Sequence, residues 1–244
     1  MKQSTSSRPR RLTGALTVAA AVPAAALALQ ATPATAAPAV PQSPAQDASA
    51  LRRPPGPDIY TLITNRARAE AKNTSRNKAN NKGRYNCNFY SGYWQTSGSG
   101  GCSTKGWRAN EWCADFVWYV WRQAGAFPRR PLPNESGYKT WQSKYAPTFA
   151  GSFYRAGNAE GLYRSKGYYT GGRMPVIGSA VMFDWGGGKP GSGGWGIDHV
   201  GIVVATDYAA KKITTVEGNS SGQAIRTNTY KLSDRYIVGY MLPR

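Results

Sequence analysis

Apolar residues recur at three- and four-residue spacing through the stretch Gly106–Gly125, at Cys113, Phe116, Val117, Val120, Trp121 and Ala124. On a 3.6-residue period these fall on one buried stripe, so the pattern predicts a helix with Cys113 in its first turn and Gly125 as a left-handed stop. A weaker pattern, Ile59, Leu62, Ile63 and Ala67 behind Asp58 as N-cap, predicts a short amphipathic helix that fades by Asn73. Residues 134–169 mix aromatics with glycines and basic side chains, and predict one short helix around Tyr138–Lys144 with loops on either side. Trp141, Tyr154 and Tyr163 are expected to be exposed there and are candidates to line a groove, although aromatic side chains more often fill space.

The C-terminal third has a different period. Ala180–Trp185, Val200–Ala205, Ile213–Glu217, Ala224–Tyr230 and Ile237–Met241 read as strands, with a glycine loop at 186–196 and a turn at Asp207–Lys212. Strands this closely spaced predict an antiparallel meander. The class is therefore α+β, N-terminal helices packed on an antiparallel β-sheet.

Composition changes the picture at the N-terminus. Lys2, Arg8, Arg10 and Arg11 precede an apolar run from Leu12 to Leu29, and Ala34-Thr35-Ala36 fits a small-x-small cleavage site. Residues 1–36 are expected to be a secretory signal peptide rather than a membrane anchor, with either general or twin-arginine export open. Residues 37–57 are rich in proline and alanine and should be a flexible linker, leaving 58–244 as one globular domain. The expected location is outside the cell or on its wall.

The chain carries 31 Lys+Arg against 12 Asp+Glu; without the four basic residues of the leader its net charge is still +15. Such a protein seeks polyanions: nucleic acid is one such partner, and for an exported protein the anionic polymers of a cell wall are another. The charge is spread, with modest clusters at Arg66–Arg84 and Arg129-Arg130, and no run is as dense as a nucleic-acid arm. The expectation is a monomer with no nucleic-acid partner and no stable membrane insertion.

Candidate chemistry is sparse, which sharpens it. The chain has three cysteines, Cys87, Cys102 and Cys113, an odd number for an oxidising compartment. Cys87 and Cys102 flank a Gly/Ser/Tyr-rich loop that a disulfide could staple, so this pairing is favoured and Cys113 is left as the free thiol. A cysteine in the first turn of a helix lies in the field of unpaired N–H groups, which favours the thiolate; a cysteine that merely fills the core is the plainer alternative. His199 is the sole histidine. One histidine and one free cysteine cannot complete a common zinc site, so no metal or other cofactor is expected.

His199 stands at the start of one predicted strand and Glu217 at the end of the next. Across the Asp207–Lys212 turn a small bulge or stagger brings them opposite each other, facing the helix that bears Cys113. Asn219 lies two residues on, and in a regular strand would point the same way as Glu217, so either could orient the imidazole. This is the nucleophile, base and orienter logic of thiol hydrolases.

The motifs Trp-Cys-Ala-Asp-Phe-Val at 112–117, Phe-Asp-Trp at 183–185, Asp-His-Val-Gly-Ile-Val at 198–203 and Glu-Gly-Asn at 217–219 resemble the CHAP family, the cysteine- and histidine-dependent amidohydrolases/peptidases. The similarity runs from about Asp58 to Tyr240, and Asn-Cys-Asn-Phe-Tyr at 86–90 together with Arg226 resembles secreted actinobacterial members. The resemblance implies a papain-like fold of the NlpC/P60 type. It implies hydrolysis of an amide in peptidoglycan, by N-acetylmuramoyl-L-alanine amidase or peptide endopeptidase action. Cys113 would be nucleophile, His199 base, and Glu217 or Asn219 orienter, with Trp112, Asp184, Trp185 and Asp198 as substrate-binding residues. The chain departs from the family pattern in having Gly178-Ser179 where Gly-Asp is common, and in lacking a glutamine just before the cysteine. The rival from another class is a non-catalytic protein that binds cell wall or polyanions, with Cys113 and His199 as core residues. A thiol acyltransferase would share the same constellation.

Overall fold

The computed structural model describes residues 57–76, 86–94, 102, 109–126, 136–137, 139–141, 149–169, 171–187, 194 and 196–244. The expected signal peptide, nearly all of the linker, the Arg129-Arg130 pair and most of the glycine loop lie outside them. The described residues belong to one compact unit, Arg52–Arg244.

Helix α1 (Ile59–Lys72) starts where the sequence places it, because the Asp58 side chain accepts a hydrogen bond from the Thr61 N–H at 2.7 Å. It buries Ile63, Thr64, Ala67 and Glu70, whereas Leu62, expected on the inner face, is exposed. Glu70 is buried because three partners meet it: Arg66 at 3.1 Å, Arg76 at 3.3 Å, and the Tyr90 hydroxyl at 2.8 Å. Tyr90 lies on a one-turn helix, α2 (Phe89–Tyr93), whose first N–H groups are capped by the Asn88 carboxamide. Cys87, beside it, is bridged to Cys102 with Cα atoms 5.7 Å apart, and Cys113 is the free, buried cysteine.

Helix α3 (Cys113–Ala124) ends at Gly125 in the left-handed region, φ 80°. The sequence predicts a single buried stripe, but every residue from Cys113 to Trp121 is buried. The reason is that α3 is central: the sheet covers one side, and α1, α2 and an aromatic layer cover the others. In that layer Phe153 stacks on Trp118 at 4.2 Å between ring centroids, and Trp141 meets Trp118 edge-on at 5.2 Å. Trp141 is therefore a core residue, not an exposed one. The expectation of loops after Lys144 is also corrected: Ser152–Ala159 forms a helix, α4, followed by strand β1 (Tyr163–Ser165) and a 3₁₀ turn at Lys166–Tyr169. Two glycines near this helix lowered its propensity in the sequence, and Phe153 and Ala156, buried against the core, override that.

The remaining strands are β2 (Ala180–Phe183), β3 (His199–Asp207), β4 (Lys212–Ser220), β5 (Ala224–Lys231) and β6 (Ile237–Met241). The sheet is antiparallel throughout with order β1-β6-β2-β3-β4-β5. It is not the simple meander the spacing predicts, because β6 leaves β5 and returns to pair with β2. Strand β2 is buried at every position and is held on both edges, whereas β5 alternates toward exposure and can serve as an edge. The helices share one face of the sheet, and a smaller cluster around Phe183, Val203 and Tyr240 fills the other.

Candidate active site

Three elements bring Cys113, His199 and Glu217 together, and two glycines set how closely. His199 opens β3 and pairs in register with Phe183 of β2. Glu217 lies near the end of β4, one residue past the Ile202–Val216 pair. A Cβ at Gly201 would stand 2.5 Å from Glu217 Cγ, so it is the missing side chain at 201 that lets Glu217 lie across β3. There its Oε2 meets His199 Nε2 at 3.0 Å. A Cβ at Gly218 would stand 2.5 Å from Phe116 Cβ and 2.8 Å from the Trp112 ring, so the start of α3 packs directly on the β4 backbone. That close approach brings Cys113 to the imidazole. Sequence reading quoted both glycines within motifs but missed their spatial role; their signal is that each sits beside a catalytic candidate in a strand, where glycine marks close approach.

The carboxylate is fixed before it reaches the histidine. Thr215, two residues earlier and on the same face of β4, donates its hydroxyl to Glu217 Oε1, and the Tyr230 hydroxyl reaches Oε2 at 3.4 Å. Burial would raise the Glu217 pKa, but hydrogen bonding to His199 and its positive charge, then Thr215 and Asn228, hold it below the usual carboxylate range. Burial likewise would push the His199 imidazole down. The nearby Cys113 and the hydrogen-bonded Glu217, with their negative charge, overcome this and raise it well above the ordinary value of 6.5. With Nε2 committed to Glu217, Nδ1 is the nitrogen left for the thiol. The imidazole also lies under an indole: Trp185 stacks on it at 4.4 Å and 19° between planes, a face that favours the charged ring.

The other predicted site residues fall in different places. Asn219 does not continue the alternation. It adopts φ 52° at a register break between Glu217 and Ser220, and lines a cavity of about 310 Å³ with Glu111 and Trp185 rather than meeting the imidazole. Asp198 is exposed and accepts from the backbone N–H groups of Trp185 and Gly186 at 3.0–3.1 Å, so it holds the loop that carries the indole. Asp184 is buried and lines a second, larger cavity of about 800 Å³, again with Trp185. Trp112 is the correction: it is fully buried, stacked on Tyr90 at 5.4 Å, and no substrate can touch it. Of the aromatics expected to line a groove, Tyr154 and Tyr163 do line the larger cavity.

A small recess of about 140 Å³ opens at the start of α3, lined by Cys113 and Ala114 together with Ile197 and Asp198. The N-cap residue, Trp112, supplies no side-chain hydrogen bond, so Cys113 and Ala114 keep first-turn N–H groups that the cap does not satisfy. A carbonyl oxygen entering the recess would meet such donors beside a thiol. Among the described residues no three His, Cys, Asp or Glu side chains gather as a metal site requires, and no helix is long and apolar enough to cross a membrane.

The model of the CHAP domain family matches residues 104–219, a span that takes in Cys113, Asp184, Trp185, Asp198, His199, Glu217 and Asn219. No curated protein and no solved structure matches the chain.

Proposed function

We propose, from the premise that residues 104–219 belong to the CHAP domain family, that this chain is a secreted cysteine hydrolase cutting an amide bond in cell-wall peptidoglycan. The family is in general one of amidase- and peptidase-type peptidoglycan hydrolases. The cysteine-dependent mechanism rests on one observation: the sole histidine is hydrogen-bonded to a buried, polar-anchored carboxylate and lies close enough to the free Cys113 for the thiol to help raise its pKa. A histidine kept only for the core would have no use for both. The order of parts, a helix-borne cysteine followed by a strand-borne histidine, supports the papain-like reading of this α+β fold.

In this reading Cys113 Sγ attacks the amide carbonyl carbon, and the oxygen takes the negative charge in the recess lined by Cys113 and Ala114. The imidazolium of His199 gives its proton to the departing nitrogen as the C–N bond breaks, leaving a thioester on Sγ. His199 then takes a proton from water, the resulting hydroxide displaces the sulfur, and a carboxylic acid leaves with the thiolate and imidazolium restored. Glu217 stays ionised and holds the ring in position. The high positive charge draws the protein to anionic wall polymers, where the substrate is.

The test is digestion of purified cell wall followed by mass spectrometry of the fragments. New amine and carboxyl termini that are absent with Cys113→Ala and His199→Ala are expected, and they name the bond. Wall binding without new termini would favour the non-catalytic reading instead.

A further inference from the structure

The larger cavity carries a feature the mechanism does not use. Asp184 follows β2 and is only 6 % exposed, and its backbone N–H is bonded to the Tyr236 carbonyl. Among the described residues its carboxylate has no hydrogen-bond or ion-pair partner. It opens instead into the cavity of about 800 Å³. A carboxylate without a protein partner on a residue so little exposed is poised for an incoming cation, and a chain with 31 Lys+Arg had ample means to pair it internally. Arg235, the cation on the same cavity, is exposed and turned to its neighbour's hydroxyl and ring. Its charge is screened by water, which leaves the Asp184 carboxylate as the less screened of the two charges.

The cavity's wall is tied to the reacting groups through Asp198 and Trp185. Asp198 lines the recess at Cys113 and holds the N–H groups of Trp185 and Gly186, and these two residues line the larger cavity beside Asp184. The indole that covers His199 is thus one wall of the place where Asp184 waits. Tyr154 and Tyr163, packed edge-on at 4.9 Å, form another wall, suited to the aliphatic stem of a side chain.

We propose that this cavity is a substrate subsite that reads a primary ammonium group, with Asp184 as its specificity-determining residue. The ligand class is a peptidoglycan peptide carrying a free amine, on a diamino-acid side chain or a peptide end, near the scissile amide. This rests on the hydrolase reading above and adds the substrate feature it selects. Desolvated charge pairing of this kind discriminates strongly, because removing the ammonium leaves the carboxylate buried and alone again.

The experiment uses a soluble muropeptide with free amines and the same muropeptide after N-acetylation, each with the wild-type protein and with Asp184→Asn. Wild type is expected to prefer the free-amine form by about 10- to 100-fold in kcat/KM, and the variant to bring that ratio close to one. The variant's thermal midpoint should equal or exceed that of wild type, since an unpaired buried charge is removed. Equal cleavage of the two muropeptides by wild type overturns the proposal. So does a variant that loses both activities in proportion or melts at lower temperature, because the carboxylate would then be structural. Binding of both muropeptides to Cys113→Ala and to Cys113→Ala/Asp184→Asn, measured by calorimetry, separates the two levels of the argument. If nothing is cleaved but the free-amine form still binds better and only through Asp184, the hydrolase reading fails and the subsite stands; equal binding of both forms refutes the subsite.

Discussion

Substituting Gly201 by alanine tests the geometry of the site without altering a polar atom. The added methyl would stand 2.5 Å from Glu217 Cγ and 3.4 Å from Cδ, with the Val216 carbonyl oxygen also at 3.4 Å. The first distance is about 1 Å short of ordinary carbon–carbon contact, and the backbone oxygen prevents the strand from simply sliding over, so relief falls on the Glu217 side chain. Displacing that side chain by about 1 Å would stretch its 3.0 Å contact with His199 beyond hydrogen-bond range. Overpacking of this kind costs about 1–3 kcal/mol of stability, and misplacing a catalytic group by about 1 Å costs about 100-fold in rate. Gly201→Ala should therefore remain folded, melt at lower temperature, and lose about 100-fold in kcat/KM on a soluble muropeptide. Because the loss acts through Glu217, the double variant Gly201→Ala/Glu217→Gln should be little worse than the poorer single one. Wild-type kcat/KM in Gly201→Ala, or losses that multiply in the double variant, would refute the assignment of Glu217 as the partner of His199.

Glu217→Gln preserves shape and removes charge. The imidazolium loses the carboxylate that raised its pKa, so the basic limb of the pH–rate profile should move down; the thiolate loses the support of a well-held imidazolium, so the acidic limb should move up. A profile of unchanged width would contradict this. The same pair contributes to stability: the raised His199 contributes fully below its ordinary value of 6.5 and less as pH rises through its folded value, and the lowered Glu217 contributes fully above 4.5 and less as pH falls through its folded value. Denaturant titrations of wild type and Glu217→Gln should accordingly differ most between pH 4.5 and 6.5. Alkylation of unreduced protein with iodoacetamide should modify Cys113 alone, more slowly in His199→Ala, since Cys87 and Cys102 are bridged. Peptide mapping that finds label on Cys87 or Cys102 would contradict the pairing.

What was legible in the sequence follows from the range of each interaction. The Asp58 cap, the Gly125 stop and the β3–β4 hairpin are set by residues within a few positions of one another, and periodicity finds them. The pairing of β6 with β2 joins segments more than fifty residues apart, and only the need to cover a fully buried strand decides it. Trp112 misled for a related reason. It adjoins Cys113 in sequence, but the N-cap geometry at the start of α3 turns its ring to Tyr90 and Gly218, away from the recess that Cys113 lines. The stacking of Trp185 on His199 was hidden in the same way, since it depends on Asp198 gripping two backbone N–H groups of a loop.

The choice between Glu217 and Asn219 shows how backbone conformation can settle what residue type leaves open. A regular strand would have pointed both side chains at the imidazole. Gly218 removes a side chain so that Phe116 and Trp112 can press on β4, and the register breaks directly after Glu217. Asn219 then takes up the left-handed region, which asparagine tolerates better than most residues, and its side chain is carried into the smaller cavity. The glycine that admits the helix bearing Cys113 to the sheet thus also ends the alternation. One contact therefore fixes two things at once, how near Cys113 comes to His199 and which of two candidate acceptors the histidine receives.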